Sequence, residues 1–276
     1  MYTVYKPEEL IKKLDLLEDE HEDVIKFFNN ISYNDIVKQD FAKKNSLYVF
    51  KNIKNDNPIK SKIISELNKL NSQTLQKVIS SITDIIITKE EDVNELFNQC
   101  IQKIKRDNEQ IRPLVAALCN VLVERYIPTD IGETVKFKKV FIKKVKNEYE
   151  ESVNYSSENW TKEKGEKVMI LLGTLYNSKT LNDSIMISII NDFKKKIFYK
   201  EDGNQEYYEE VEKSLQQLSC LLSCIILNEE TKKIYNDLQL DKFLEDQMLI
   251  YEEKKCISKK IRLVCKTTIQ ELRKIF

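Results

Sequence analysis

The 276-residue chain carries 45 basic and 45 acidic side chains, one histidine, and only 4 glycines and 4 prolines. A balanced charge supplies no global field toward nucleic acid or acidic lipid, so any such contact needs a local patch. Gly132, Gly165, Gly173 and Gly203 lie too far apart for a phosphate-cradling loop, and His21, between Glu20 and Glu22, is the only histidine, which removes most triads and histidine zinc sites.

The amino terminus, MYTVYKPEELIKKLDLLEDE, is charged throughout and lacks the apolar core of a signal peptide. Helical runs are predicted over residues 7–28 and 33–41, followed by a polar stretch rich in turn formers, KNIKNDNP (51–58), which reads as a linker. The boundary is therefore placed between an N-terminal extension, 1–58, and a main domain, 59–276.

From there the apolar spacing is helical nearly everywhere. Leu75, Val78, Ile79, Ile82, Ile85 and Ile86 form the first stripe, with Asn71 or Ser72 as N-cap. Val93 to Ile104 repeats the rule. Leu114 to Tyr126 follows, with Pro113 in its first turn and Pro128 as its terminator. Further stripes run through Val140–Tyr149, Val168–Tyr176, Ile185–Ile197 and Leu215–Ile226. A weaker pattern joins Ile234, Leu238, Phe243 and Ile250, and a last one runs from Ile257 to Leu272. The helices come in pairs of roughly 40 to 47 residues, the period of a HEAT-type hairpin. The expected fold is all-α: an α-solenoid of about five antiparallel hairpins with an N-terminal helical extension.

The longest uncharged stretch, residues 214–228, is too short and polar to span a bilayer. The six cysteines form no CxxC pair; Cys220 and Cys224, one turn apart on an apolar face, read as buried small hydrophobes rather than metal ligands or disulfides. A reduced, cytoplasmic protein is expected. With abundant carboxylates and nothing to organise them, neither catalysis nor a cofactor is expected.

Five segments, in order over residues 60 to 276, carry a family resemblance. They are LNKLNSQTLQKVISSI (67–82), VAALCNVL (115–122), FKKVFIKKVKNEYE (137–150), LLGTLYNSKTLND (171–183) and KKIRLVCKTTIQELR (259–273). Together they resemble the middle domain of eukaryotic translation initiation factor 4G, a HEAT-repeat domain. The fourth is the most specific: a glycine inside a helix, then Leu-Tyr, a basic turn and Leu. The chain departs from the family at Leu263, where an aromatic follows the arginine, in a shorter loop before Val168, and over residues 204–256, which match by pattern alone.

The resemblance implies a scaffold for translation initiation that holds an initiation factor 4A-type RNA helicase by hairpin turns at both ends. Its candidate contacts here are Leu175, Tyr176 and Lys179, and Arg262 and Leu263; Leu175 and Leu263 read equally as core. Tyr5, Leu10 and Ile11 fit the Tyr-x4-Leu-Φ pattern for an initiation factor 4E-type cap-binding protein, with Pro7, Glu8 and Glu9 favouring a helix start. The bland reading is a helix docked on its own domain. Lys136, Lys139, Lys143 and Lys146 share one predicted helix face and could meet mRNA phosphates, or simply be solvated. A second cluster is Lys254, Lys255, Lys259, Lys260, Arg262 and Lys266. Trp160, in a polar loop, is either a partner anchor or folded onto its own domain. The alternatives in function are a middle-domain adaptor of mRNA decay, splicing or translational repression, and a generic HEAT-type scaffold without an RNA role.

Overall fold

A computed structural model describes residues 58–85, 89–128, 134–226 and 228–273. The expected N-terminal extension lies outside them, except for Pro58. Pro58 does not close a linker but opens the first helix, where a missing N–H costs nothing. The described elements are α1 (Pro58–Asn68), α2 (Leu75–Thr83), α3 (Glu90–Arg106), α4 (Arg112–Leu122), β1 (Tyr126–Pro128), β2 (Thr134–Lys136), α5 (Phe137–Ser152) and α6 (Lys162–Asn177). They continue with α7 (Asp183–Ile197), α8 (Gln205–Cys224), α9 (Glu229–Asp237), α10 (Leu240–Lys254) and α11 (Lys259–Arg273).

Local chemistry explains the boundaries. Asn182, Asn204 and Asn228 cap α7, α8 and α9 by accepting a backbone N–H, and Thr161 does the same for α6. In α3 three acids occupy the first turn and three bases the last, complementing the helix dipole. Gln239 takes a left-handed conformation, φ 46°, between α9 and α10, so the weak pattern from Ile234 to Ile250 runs over two helices.

The helices pair as α1/α2, α3/α4, α5/α6, α7/α8 and α10/α11, with α9 as an added helix against α10. The second helices, α2, α4, α6, α8 and α11, pack successively and form one layer, closed between α6 and α8. The first helices form the other layer, in which α1, α3 and α5 also pack in succession. This is the expected helical solenoid of five hairpins. Its core is continuous, with Phe97, Phe137 and Phe141 fully buried and the Phe97 and Phe141 rings 4.7 Å apart.

Three sequence expectations change. Helix α4 ends at Leu122, before Pro128, and the chain forms a two-stranded antiparallel ribbon of three residues per strand. Tyr126 pairs with Lys136, and Arg125 O accepts from Phe137 N, so the ribbon leads directly into α5. Helix α1 also carries a stripe, Ile63 and Leu67, that was assigned no helix. Ile226 lies past the end of α8, 66% exposed, because the helix stops at Cys224.

Candidate interaction surfaces

The closed layer rests on two glycines. A Cβ at Gly165 would lie 2.1 Å from Gln217 Nε2, and one at Gly173 would lie 2.7 Å from Cys224 Cβ. Only a missing side chain lets α6 and α8 approach this closely. Gln217 is held there: its Oε1 accepts from Tyr155 Oη at 2.9 Å and its Nε2 donates to Ser152 O at 3.0 Å. Ser214 Oγ completes the network on Tyr155 Oη, 3.0 Å away. Trp160 belongs to it too, since its Nε1 donates to Ser152 O at 2.7 Å and its ring meets Tyr155 edge-on. The tryptophan is folded onto its own domain.

On α8 the outer side of this layer meets α11 and leaves a groove of about 670 Å³. Leu222, Ile225, Val264 and Leu272 give it apolar walls, with Glu166 and Glu271 among its polar ones. Leu263, 67% exposed, stands over it. Cys220 also lines it, donating to Glu166 O. Cys224, one turn on, is half-buried and faces α6. Cys220 beside it favours the thiolate and brings the Cys224 thiol down to about 7, while the same contact and burial push Cys220 up.

The candidate helicase contacts separate into two kinds. Leu175 is fully buried and Tyr176 is 4% exposed, its hydroxyl on Asp183 Oδ1 at 3.0 Å. Both are core, because Gly173 draws this turn of α6 inward, so neither presents a side chain to a partner. Lys179 is exposed at φ 62°, the residue that ends α6; its N–H and those of Thr180 and Leu181 satisfy the Tyr176 and Leu175 carbonyls. Arg262 is half-buried with an unpartnered Nε, and Leu263 is on the surface. Gly165 lies beside Gln217 and Gly173 beside Cys224, so α6 and α8 run parallel, while Glu212 of α8 bonds Ser258 N just before α11. Lys179 thus follows the C-terminal end of α6, and Leu263 lies in the first turns of α11.

The lysine stripe is divided. Lys136 ends β2 rather than sitting on the helix, and its ammonium lies 5.5 Å from the ring of Tyr126, which is 54% exposed. Lys139, Lys143 and Lys146 share the outward face of α5; Lys146 pairs with Glu150 at 3.5 Å. Lys139 and Lys143 have no carboxylate partner among the described residues. In the second cluster Lys254, Lys255, Lys259 and Lys260 are exposed and Lys266 pairs with Glu252 at 2.6 Å. Tyr5, Leu10 and Ile11 lie outside the described residues.

The first-helix layer opens between α5 and α7, where a second groove of about 630 Å³ lies. Ile142, Val145 and Tyr149 of α5 face Ile185 and Ile189 of α7 across it. Tyr149 Oη donates to Asp192 Oδ2 at 2.6 Å, and Lys196 pairs with the same carboxylate at 3.5 Å. Burial, then the Asp192 contact, holds the Tyr149 phenol well above its ordinary value, so it remains a donor. Sequence periodicity identifies these apolar residues but cannot show that two of the helices stand apart.

Among the described residues the chain is a stack of helical hairpins with apolar-walled grooves beside α8 and α11 and between α5 and α7. No known protein family and no curated protein matches this chain. No helix among the described residues is long and apolar enough to cross a membrane.

Proposed function

We propose that the chain is a translation-initiation scaffold that docks an initiation factor 4A-type RNA helicase. The observation that carries this reading is Leu263, a large exposed apolar residue over an apolar-walled groove, at a position where the family resemblance places a helicase contact. Arg262 beside it is half-buried, and its Nε has no hydrogen-bond partner among the described residues. Lys179, just past the end of α6, marks the second contact. The scaffold's contribution is linkage: two contacts hold the helicase lobes in one orientation and raise the helicase's local concentration near a capped end. The ribbon end, with exposed Tyr126 beside Lys136 and with Lys139 on the next turn, is the mRNA-facing element of this reading, and Tyr5, Leu10 and Ile11 its cap-protein motif.

The test is saturable binding of recombinant 4A-type helicase to the full chain, read with its RNA-stimulated ATP hydrolysis. Leu263→Asp should weaken binding about tenfold or more without shifting the thermal melt. Tyr5→Ala with Leu10→Ala should abolish cap-protein binding and leave helicase binding intact. Absence of saturable helicase binding at micromolar concentration returns the chain to the generic adaptor reading.

A further inference from the structure

We propose that the groove between α5 and α7 is a second docking site, for an acidic amphipathic helix of a partner protein. It lies in the layer opposite the Leu263 groove and stands independently of the helicase reading.

The floor is apolar and incompletely covered: Ile142, Tyr149 and Ile185 are only half-buried, above buried Val145 and Ile189. Along α5 the groove runs from Ile142 to Val153, roughly 16 Å, the length of a three-turn helix. Two parallel helices standing apart offer ridges into which a third helix packs. An extended peptide would leave its backbone unpaired here, since no strand edge borders the groove, whereas a helix satisfies its own N–H and C=O groups.

Charge selects the partner's other face. The two carboxylates in the groove are already engaged, Glu150 by Lys146 at 3.5 Å and Asp192 by both Tyr149 and Lys196. Lys139 and Lys143 on the outward face of α5, and Lys195 on that of α7, are exposed and have no carboxylate partner among the described residues. The flanks are thus basic while the floor is apolar. Phosphates would use the lysines but have no use for Ile142, Tyr149 and Ile185, so the pattern favours a peptide over RNA.

The experiment is selection on the intact chain from a displayed library of 14-residue helical peptides. Apolar residues are held at i, i+3, i+4 and i+7, and Glu or Lys is free at the other positions. Glu should be enriched over Lys, and a selected peptide, labelled, should bind Ile185→Asp about tenfold more weakly. The triple variant Lys139→Glu, Lys143→Glu, Lys195→Glu, entirely on exposed positions, should weaken it several-fold while leaving the melt unchanged, and keeps the test open should Ile185→Asp misfold. Lys-rich winners, no enrichment, or binding indifferent to both variants would overturn the proposal. So would a 15-nucleotide polyuridine RNA whose binding is lost with Ile185→Asp, which would give the groove to nucleic acid.

Discussion

Two helix pairs, α6–α8 in one layer and α5–α7 in the other, are built from the same kind of amphipathic segment, yet one closes and the other opens. Between α6 and α8 the contact surface contains Gly165 and Gly173 opposite Gln217 and Cys224, and the helices approach until no added Cβ fits. Between α5 and α7 the facing residues are Tyr149, Ile142, Ile185 and Ile189, and the gap is bridged by Tyr149, which bonds Asp192 and meets the Phe193 ring edge-on. Small residues allow backbone proximity and continuous dispersion contact; bulky ones hold helices apart and leave apolar surface uncovered. The closed seam adds to stability, and the open groove leaves apolar surface uncovered.

Truncation separates the layers most sharply. Leu218, buried completely on α8, should cost about 2–5 kcal/mol as Leu218→Ala in urea unfolding, whereas Ile185→Ala at the open groove should cost about 1 kcal/mol. Equal costs would mean that the groove is filled from within the chain. Next in size is Gly173→Ala, which places a methyl against Cys224 and should destabilise by about 1–3 kcal/mol, measured in the same way. A neutral result would show that α6 and α8 slide apart freely.

The closed layer also makes a chemical prediction. The Cys224 thiol, lowered to about 7, is half thiolate near neutral pH, so its alkylation should rise through that pH and level off above it. Cys220→Ala removes the neighbour that favours the thiolate, shifting the midpoint upward and slowing alkylation at pH 7 several-fold; an unchanged pH profile, read by mass spectrometry, would assign the effect elsewhere. The smallest effect concerns the turn that ends α6. Lys179→Gly relieves a left-handed lysine and should raise stability by about 0.5–1 kcal/mol, while weakening helicase binding if the Lys179 ammonium contributes to it.

Much of the candidate surface was visible in sequence as residue type, but not as orientation. The pattern around LLGTLYNSK marked a special turn, and the turn is special; yet Leu175 and Tyr176 point inward, because Gly173 seats α6 on α8. Leu263 sits two residues from both Ile261 and Cys265 of the buried stripe, and a turn of about 200° around the helix puts it on the solvent face. Lys136 looked helical because its neighbours are, but backbone pairing with Tyr126 claims it for the ribbon.

The sequence by itself determined the all-helical hairpin stack, since a 3.6-residue apolar period with scarce glycine and proline admits little else. It also marked Gly173, inside a helix, and the cysteine pair as features. Only the tertiary structure decided which helices touch. Spacing records a helix's apolar face, not the partner against which that face is spent, so the closed α6–α8 seam and the open α5–α7 groove read alike until the helices are placed.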